Sequence, residues 1–135
     1  MTQPTRLPAF SDPETLVSPP GPYSQVVRVG DLVFVSGQVG VDSDGVLRGD
    51  GILEQADQAL TNVRLALESQ GLGLRHVVKV TIFLAHPDDL EALVPHMDRV
   101  FPALFPAGCP ASSLVIVQRL VDAALRIEIE AIAHA

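Results

Sequence analysis

Two carboxylates, Glu128 and Glu130, stand near the end of the chain in Leu125-Arg126-Ile127-Glu128-Ile129-Glu130-Ala131-Ile132-Ala133. The alternation there is that of a strand, with Leu125, Ile127 and Ile129 on one side and Arg126, Glu128 and Glu130 on the other. Two residues of rise separate the acids by roughly 7 Å. Such a pair can share acid–base work, one member holding its proton to higher pH. The same pattern describes a solvated strand face screened by Arg126, which is the commoner outcome. A ladder of acids inside an otherwise apolar strand still singles out Glu128.

Other candidates are thinner. Tyr23, the only tyrosine, follows Gly21-Pro22 at the mouth of a strand, where its hydroxyl can face a cleft or simply pack. Ser36-Gly37-Gln38 puts polar and minimal side chains into an apolar strand, a mark of a bulge or of something approaching closely. The histidines, His76, His86, His96 and His134, form no ligand-spaced pair, and Cys109 has neither a metal partner nor an activating base beside it. His86 reads as a helix-start residue and His96 as a surface or interface side chain. Neither G-x-x-x-x-G-K nor G-x-G-x-x-G occurs, so the sequence calls for no nucleotide or metal cofactor.

The elements that must position these residues are readable in outline. Residues 1–22 hold six prolines, Pro4, Pro8, Pro13, Pro19, Pro20 and Pro22. They predict an extended arm over 1–20, at best a strand edge, with about the first ten residues disordered. A single domain fills 21–135. Strands are expected over Ser24 to Val29 and Leu32 to Val39, with a turn at Gly30-Asp31 and a short strand at Val46-Leu47. Ile52 to Gln70 carries one apolar stripe, Leu53, Ala56, Leu60, Val63 and Leu67, and predicts a helix ended by Gly71 and Gly73 as left-handed caps. Val77 to Leu84 is a strand. His86-Pro87-Asp88-Asp89 opens a second helix that Pro95 should kink or split. Pro102, Pro106 and Pro110 mark a rigid loop. Two final strands, 110–120 and 125–133, are joined by Val121-Asp122-Ala123-Ala124.

The order is ββ(β)αβαββ, an α+β domain with a mixed sheet and two helices packed on one face. Leu32 through Val35 is apolar on both sides, so the face away from the helices also needs cover. A second subunit can supply it, and the pattern therefore predicts an obligate oligomer. The chain has 135 residues, 47% of them apolar, and a formal net charge of -7. Nine basic residues scattered along it make no phosphate-binding cluster, which argues against RNA or DNA as a partner. One cysteine, no signal-like N-terminus and no apolar run of membrane-spanning length place the expectation in the cytoplasm.

Several short stretches together resemble the reactive-intermediate deaminase family (RidA/YjgF, also called L-PSP endoribonuclease). They are Gly21-Pro22-Tyr23-Ser24-Gln25, Val35-Ser36-Gly37-Gln38, Gln55-Ala56 through Asn62-Val63, Val78 through Leu84, and Ile127 through Ala133. The resemblance implies a chorismate-mutase-like fold, a homotrimer and a small-molecule cleft between subunits. It also implies hydrolysis of a 2-imino acid by water held on a glutamate of the last strand. Carried over, the glutamate is Glu128, and Tyr23 and Ser36 line the cleft.

The family's substrate-clamping arginine belongs to a Pro-Ala-Arg-Ser step, which here reads Pro110-Ala111-Ser112-Ser113. A serine hydroxyl does not replace a bidentate guanidinium. Its loss should cost about 2–5 kcal/mol of binding where the ligand carboxylate is buried. Val94 and Met97 depart as well, standing where an asparagine and an aromatic residue are usual. Arg119 and Arg126 are near in sequence, but nothing in the sequence brings either into the cleft.

Three functions follow as expectations. The first is an imine or enamine hydrolase with weak activity on 2-imino acids, Glu128 holding water and the backbone amides of Ser112 and Ser113 binding the ligand. The second is a non-catalytic ligand-binding or regulatory module. The third is the endoribonuclease or translation inhibitor of the family label, which the acidity disfavours.

Overall fold

The structure, a computed structural model, describes residues 7–135. Much of the disorder expected at the start of the chain falls on residues 1–6, outside the described residues. The elements run β1 (Ala9–Ser11), β2 (Val26–Val29), β3 (Leu32–Val39), α1 (Ile52–Glu68), β4 (Val77–Leu84), α2 (Leu90–Leu104), β5 (Ala111–Ile116) and β6 (Ile127–His134). They build one six-stranded sheet in the order β1-β2-β3-β6-β4-β5. Every pairing is antiparallel except β4 with β5.

The strand count matches the expected order, but the extra strand lies elsewhere. Val46-Leu47 contributes only an isolated bridge, Val41 to Leu47, because the turn at Asp42 folds back too tightly for a ladder. The third N-terminal strand is instead β1, in the proline-rich arm, where Ala9, Phe10 and Ser11 pair with Arg28, Val27 and Val26. The last two strands are not neighbours. β4 lies between them, and β5 joins its outer edge in parallel, so residues 117–126 cross one strand rather than closing a hairpin.

α1 starts where the Glu54 carboxylate accepts the Gly51 N–H at 3.0 Å. It ends in a Schellman turn, with Leu72 N–H on Leu67 O, Gly71 N–H on Glu68 O, and Gly71 at φ 72°. Gly73 is extended at φ -138° and starts a 3₁₀ turn, so the second expected cap is absent. α2 follows a 3₁₀ turn over Pro87–Asp89 and continues through Pro95 and Pro102 without splitting. Both prolines lie on its exposed side, seven residues apart, where carbonyls left without a helical donor meet water. Its inner side buries Leu93, His96 and Phe101. His96 is therefore not a surface residue. Its Nδ1 accepts from Arg99 at 2.9 Å, which leaves Nε2–H to donate to Asp57 on α1 at 2.7 Å.

Both helices pack on one face of the sheet. The core between them is aliphatic, with Val33, Val63, Leu67, Ile82, Leu84 and Ile129 each at most 1% exposed. The other face stays open in the single chain. By register Val27, Phe34 and Ile132 sit side by side on it. Val29, Leu32, Phe34 and Val115 are 42%, 39%, 40% and 41% exposed there.

Candidate functional site

β3 carries one residue more than β6 between Val35 and Gln38, since Val35 faces Ala131 while Gln38 faces Ile129. The bulge falls on Ser36-Gly37. It bends the strand and opens a concavity beside β6. Ser36 is pinned into it, its N–H on Gln25 O and its hydroxyl on Ser24 O. The Glu128 side chain lies directly over Gly37, where a Cβ would fall 1.9 Å from Oε1. Only glycine leaves room for that carboxylate, which is the close approach that a glycine inside an apolar strand signals.

Tyr23, Ser36, Gly37 and Glu128 line one cavity of about 530 Å³, together with Pro20 and Val121. An adjoining lobe of about 290 Å³ shares Tyr23, Gly37, Val121 and Glu128 and reaches inward to Gln38 and Asn62. Glu128 is half-buried and makes no ion pair among the described residues. Burial, and then the charge of Glu130, push its carboxyl above the ordinary glutamate range. Burial, followed by the charges of Glu128 and Asp12, likewise raises the Tyr23 phenol, which therefore stays a neutral donor at physiological pH. The site thus offers a carboxylate able to accept a proton near a phenolic donor and the Ser36 hydroxyl.

Ser112 and Ser113 do not join this cavity within one chain. They lie on β5, at the edge of the sheet, with β4 between them and β6. Ser112 stands opposite Val80, and the Ser113 hydroxyl accepts from the Lys79 ammonium at 2.8 Å. Neither nearby arginine enters the cavity. Arg126 makes a bidentate pair with the buried Asp89, Nε to Oδ2 at 2.9 Å and Nη2 to Oδ1 at 3.0 Å. Arg119 folds onto its own backbone, donating to Leu120 O and Val121 O. Among the described residues no three His, Cys, Asp or Glu side chains converge to hold a metal ion. No helix there is long and apolar enough to cross a membrane.

Sequence reasoning passed over Val121, Asn62 and the full role of Gly37. Gly37 had a legible signal, a glycine among β-branched residues. Val121 had none, since its place depends on how residues 117–126 cross β4.

The Endoribonuclease L-PSP family model matches residues 14–135. The chain belongs to that family. The 2-iminobutanoate/2-iminopropanoate deaminase of Capra hircus is 40% identical over 114 residues, covering 84% of this chain and 80% of that protein. The YjgF gene product of E. coli superposes with a TM-score of 0.84 at 33% identity, over 93% of this chain and 98% of its own. E. coli TdcF with bound serine superposes with a TM-score of 0.85 at 30% identity, over 94% and 98%. As an L-PSP family member related to RidA and YjgF, the chain has the two-helix, mixed-sheet α+β fold read from its sequence.

Proposed function

We propose that this L-PSP family protein assembles as a homotrimer and hydrolyses an imine or enamine in a cleft between subunits, Glu128 holding the attacking water. Glu128 carries the reading: its carboxylate sits over Gly37 with no counter-ion among the described residues, beside Tyr23 and Ser36 in a cavity. In the reaction the water oxygen adds to the imine carbon as a proton reaches nitrogen. The resulting carbinolamine then breaks its C–N bond, giving a carbonyl compound and ammonia. An unpaired carboxylate of raised proton affinity is suited to take the proton that water loses and hand it to the departing nitrogen. Relatives named 2-iminobutanoate/2-iminopropanoate deaminase and a TdcF structure with bound serine support an amino-acid-derived ligand. The open apolar face supports assembly, and a neighbour's β5 edge is then the part that brings Ser112 and Ser113 to the cavity.

With Ser112 in the clamp position and both nearby arginines engaged elsewhere, the protein turns over 2-imino acids poorly and prefers a substrate lacking the carboxylate. The same replacement favours a second reading, a ligand-binding module without turnover. Coupled assays, in which a dehydratase makes 2-aminoacrylate and the released ammonia or 2-oxo acid is followed, separate the two. A rate abolished by Glu128→Ala supports the hydrolase, whereas no acceleration of any imine over buffer rejects it. Ser112→Arg should strengthen pyruvate binding markedly, and no change would remove Ser112 from the cleft. Light scattering tests the trimer, which a stable monomer would contradict. RNA cleavage by nuclease-free protein would restore the endoribonuclease reading that the net charge of -7 disfavours.

A further inference from the structure

The inner lobe of about 290 Å³ extends past Glu128 and is walled by Val17, Val39, Val41 and Leu125. Gln25, Gln38 and Asn62 also face it, although they are only 3%, 3% and 4% exposed. Backbone carbonyls lock the orientation of all three amides. Asn62 Nδ2 donates to Val39 O at 3.0 Å and Val41 O at 2.8 Å, and its Oδ1 accepts from Gln58. Gln25 Nε2 donates to Val17 O at 3.0 Å, so Gln25 Oε1 must face Gln38. Gln38 Nε2 then spends both hydrogens, on Gln25 Oε1 at 2.8 Å and Ser36 O at 3.0 Å. The Gln38 carbonyl oxygen is left over. It accepts nothing from the described residues, on a side chain almost wholly buried against the cavity. That oxygen is not sealed off from the cavity, so a ligand N–H or O–H in the lobe can reach it.

We propose that this lobe binds the tail of the ligand: an apolar chain of several carbons ending in an N–H or O–H that donates to Gln38 Oε1. The inference rests on the proposed reading of the cavity as the ligand cleft and names its substrate class. The substrate is a long-chain imine whose far end carries a hydroxyl, amide or amine, rather than the short imines of alanine or serine size. An anionic tail is disfavoured, because Glu128 and no cation line the lobe among the described residues.

Ligand-observed NMR titrations with acetone, methyl pentyl ketone and the ω-hydroxy derivative of methyl pentyl ketone test this. The ω-hydroxy ketone should bind about five- to tenfold tighter than the plain ketone, as one hydrogen bond allows. Both should bind tighter than acetone. Gln38→Met should erase the hydroxyl preference. Because Gln38→Met also strips Gln25 of a partner, Val41→Phe provides a second arm. It leaves the amides in place, fills the lobe, and should bring both tailed ketones down to the affinity of acetone. Equal affinity for all three ketones, or a tail preference unchanged in both variants, overturns the proposal. Tail preference without hydrolysis of any imine would sink the deaminase reading and keep the lobe. Imine hydrolysis indifferent to tail would do the reverse.

Discussion

Asp89 and Glu128 are both carboxylates withdrawn from water near the same end of the sheet, and their surroundings differ sharply. Asp89 is neutralised by both forks of Arg126, a planar bidentate pair tying the start of α2 to the residue before β6. Glu128, two residues further along, has no cation among the described residues and meets the added charge of Glu130. The first arrangement holds elements together. The second leaves a charge that folding does not use, and such a group is available to a ligand.

The contrast is broken most strongly at Glu128. Glu128→Gln should lower turnover by about 10²–10⁴-fold, the usual worth of a general base, while the folded protein persists, as measured by the coupled assay alongside circular dichroism. Gly37→Ala comes next. The new methyl collides with the Glu128 carboxylate, so kcat/KM should fall by about 10²-fold with little change in Tm, because the atoms that must yield belong to a side chain. On the structural side, Arg126→Leu strands Asp89 without its partner. A fully buried pair would cost about 3–5 kcal/mol when broken; partial exposure of the Arg126 side chain reduces this to about 2 kcal/mol by urea unfolding. Activity per folded molecule should survive.

The smallest effect is the pH dependence of stability. Glu128 holds its proton more tightly folded than unfolded, so its contribution is complete below the ordinary glutamate value of about 4.3 and is lost as pH rises through the higher folded value. Glu128→Gln should therefore raise Tm slightly at pH 7 and not below about pH 4. The acid limb of the wild-type rate should lie above the ordinary glutamate range. A limb at the ordinary value would erase the difference between Glu128 and a solvated carboxylate.

What could be read from the chain beforehand followed local rules. The bounds of β3 and β4 were visible because β-branched residues are dense there and turn signals flank them. The start of α1 was visible in its stripe. Alternation placed Ile127, Ile129 and Glu128 on their proper sides of β6. Parallel pairing of β5 with β4 was not readable, since a strand's sequence does not say which neighbour it will meet. The Asp89–Arg126 pair and the amide chain from Val17 to Gln38 join residues distant in sequence, and no spacing rule reaches them. Tyr23, Ser36 and Glu128 stood out by residue type, only the family resemblance put them in one cleft, and their shared cavity depends on a bulge marked only by Gly37.

The two rims of the sheet have unequal consequences for growth. On one side the outermost strand is three residues long and bracketed by Pro8 and Pro13, which cannot donate to an incoming ladder. On the other, Ala111–Ile116 offers six residues without a proline or a charge. Filaments need two adhesive rims per molecule, and the described residues present one. Strand-by-strand growth is therefore blocked on the proline side, and the rim left free is the one that the proposed assembly occupies.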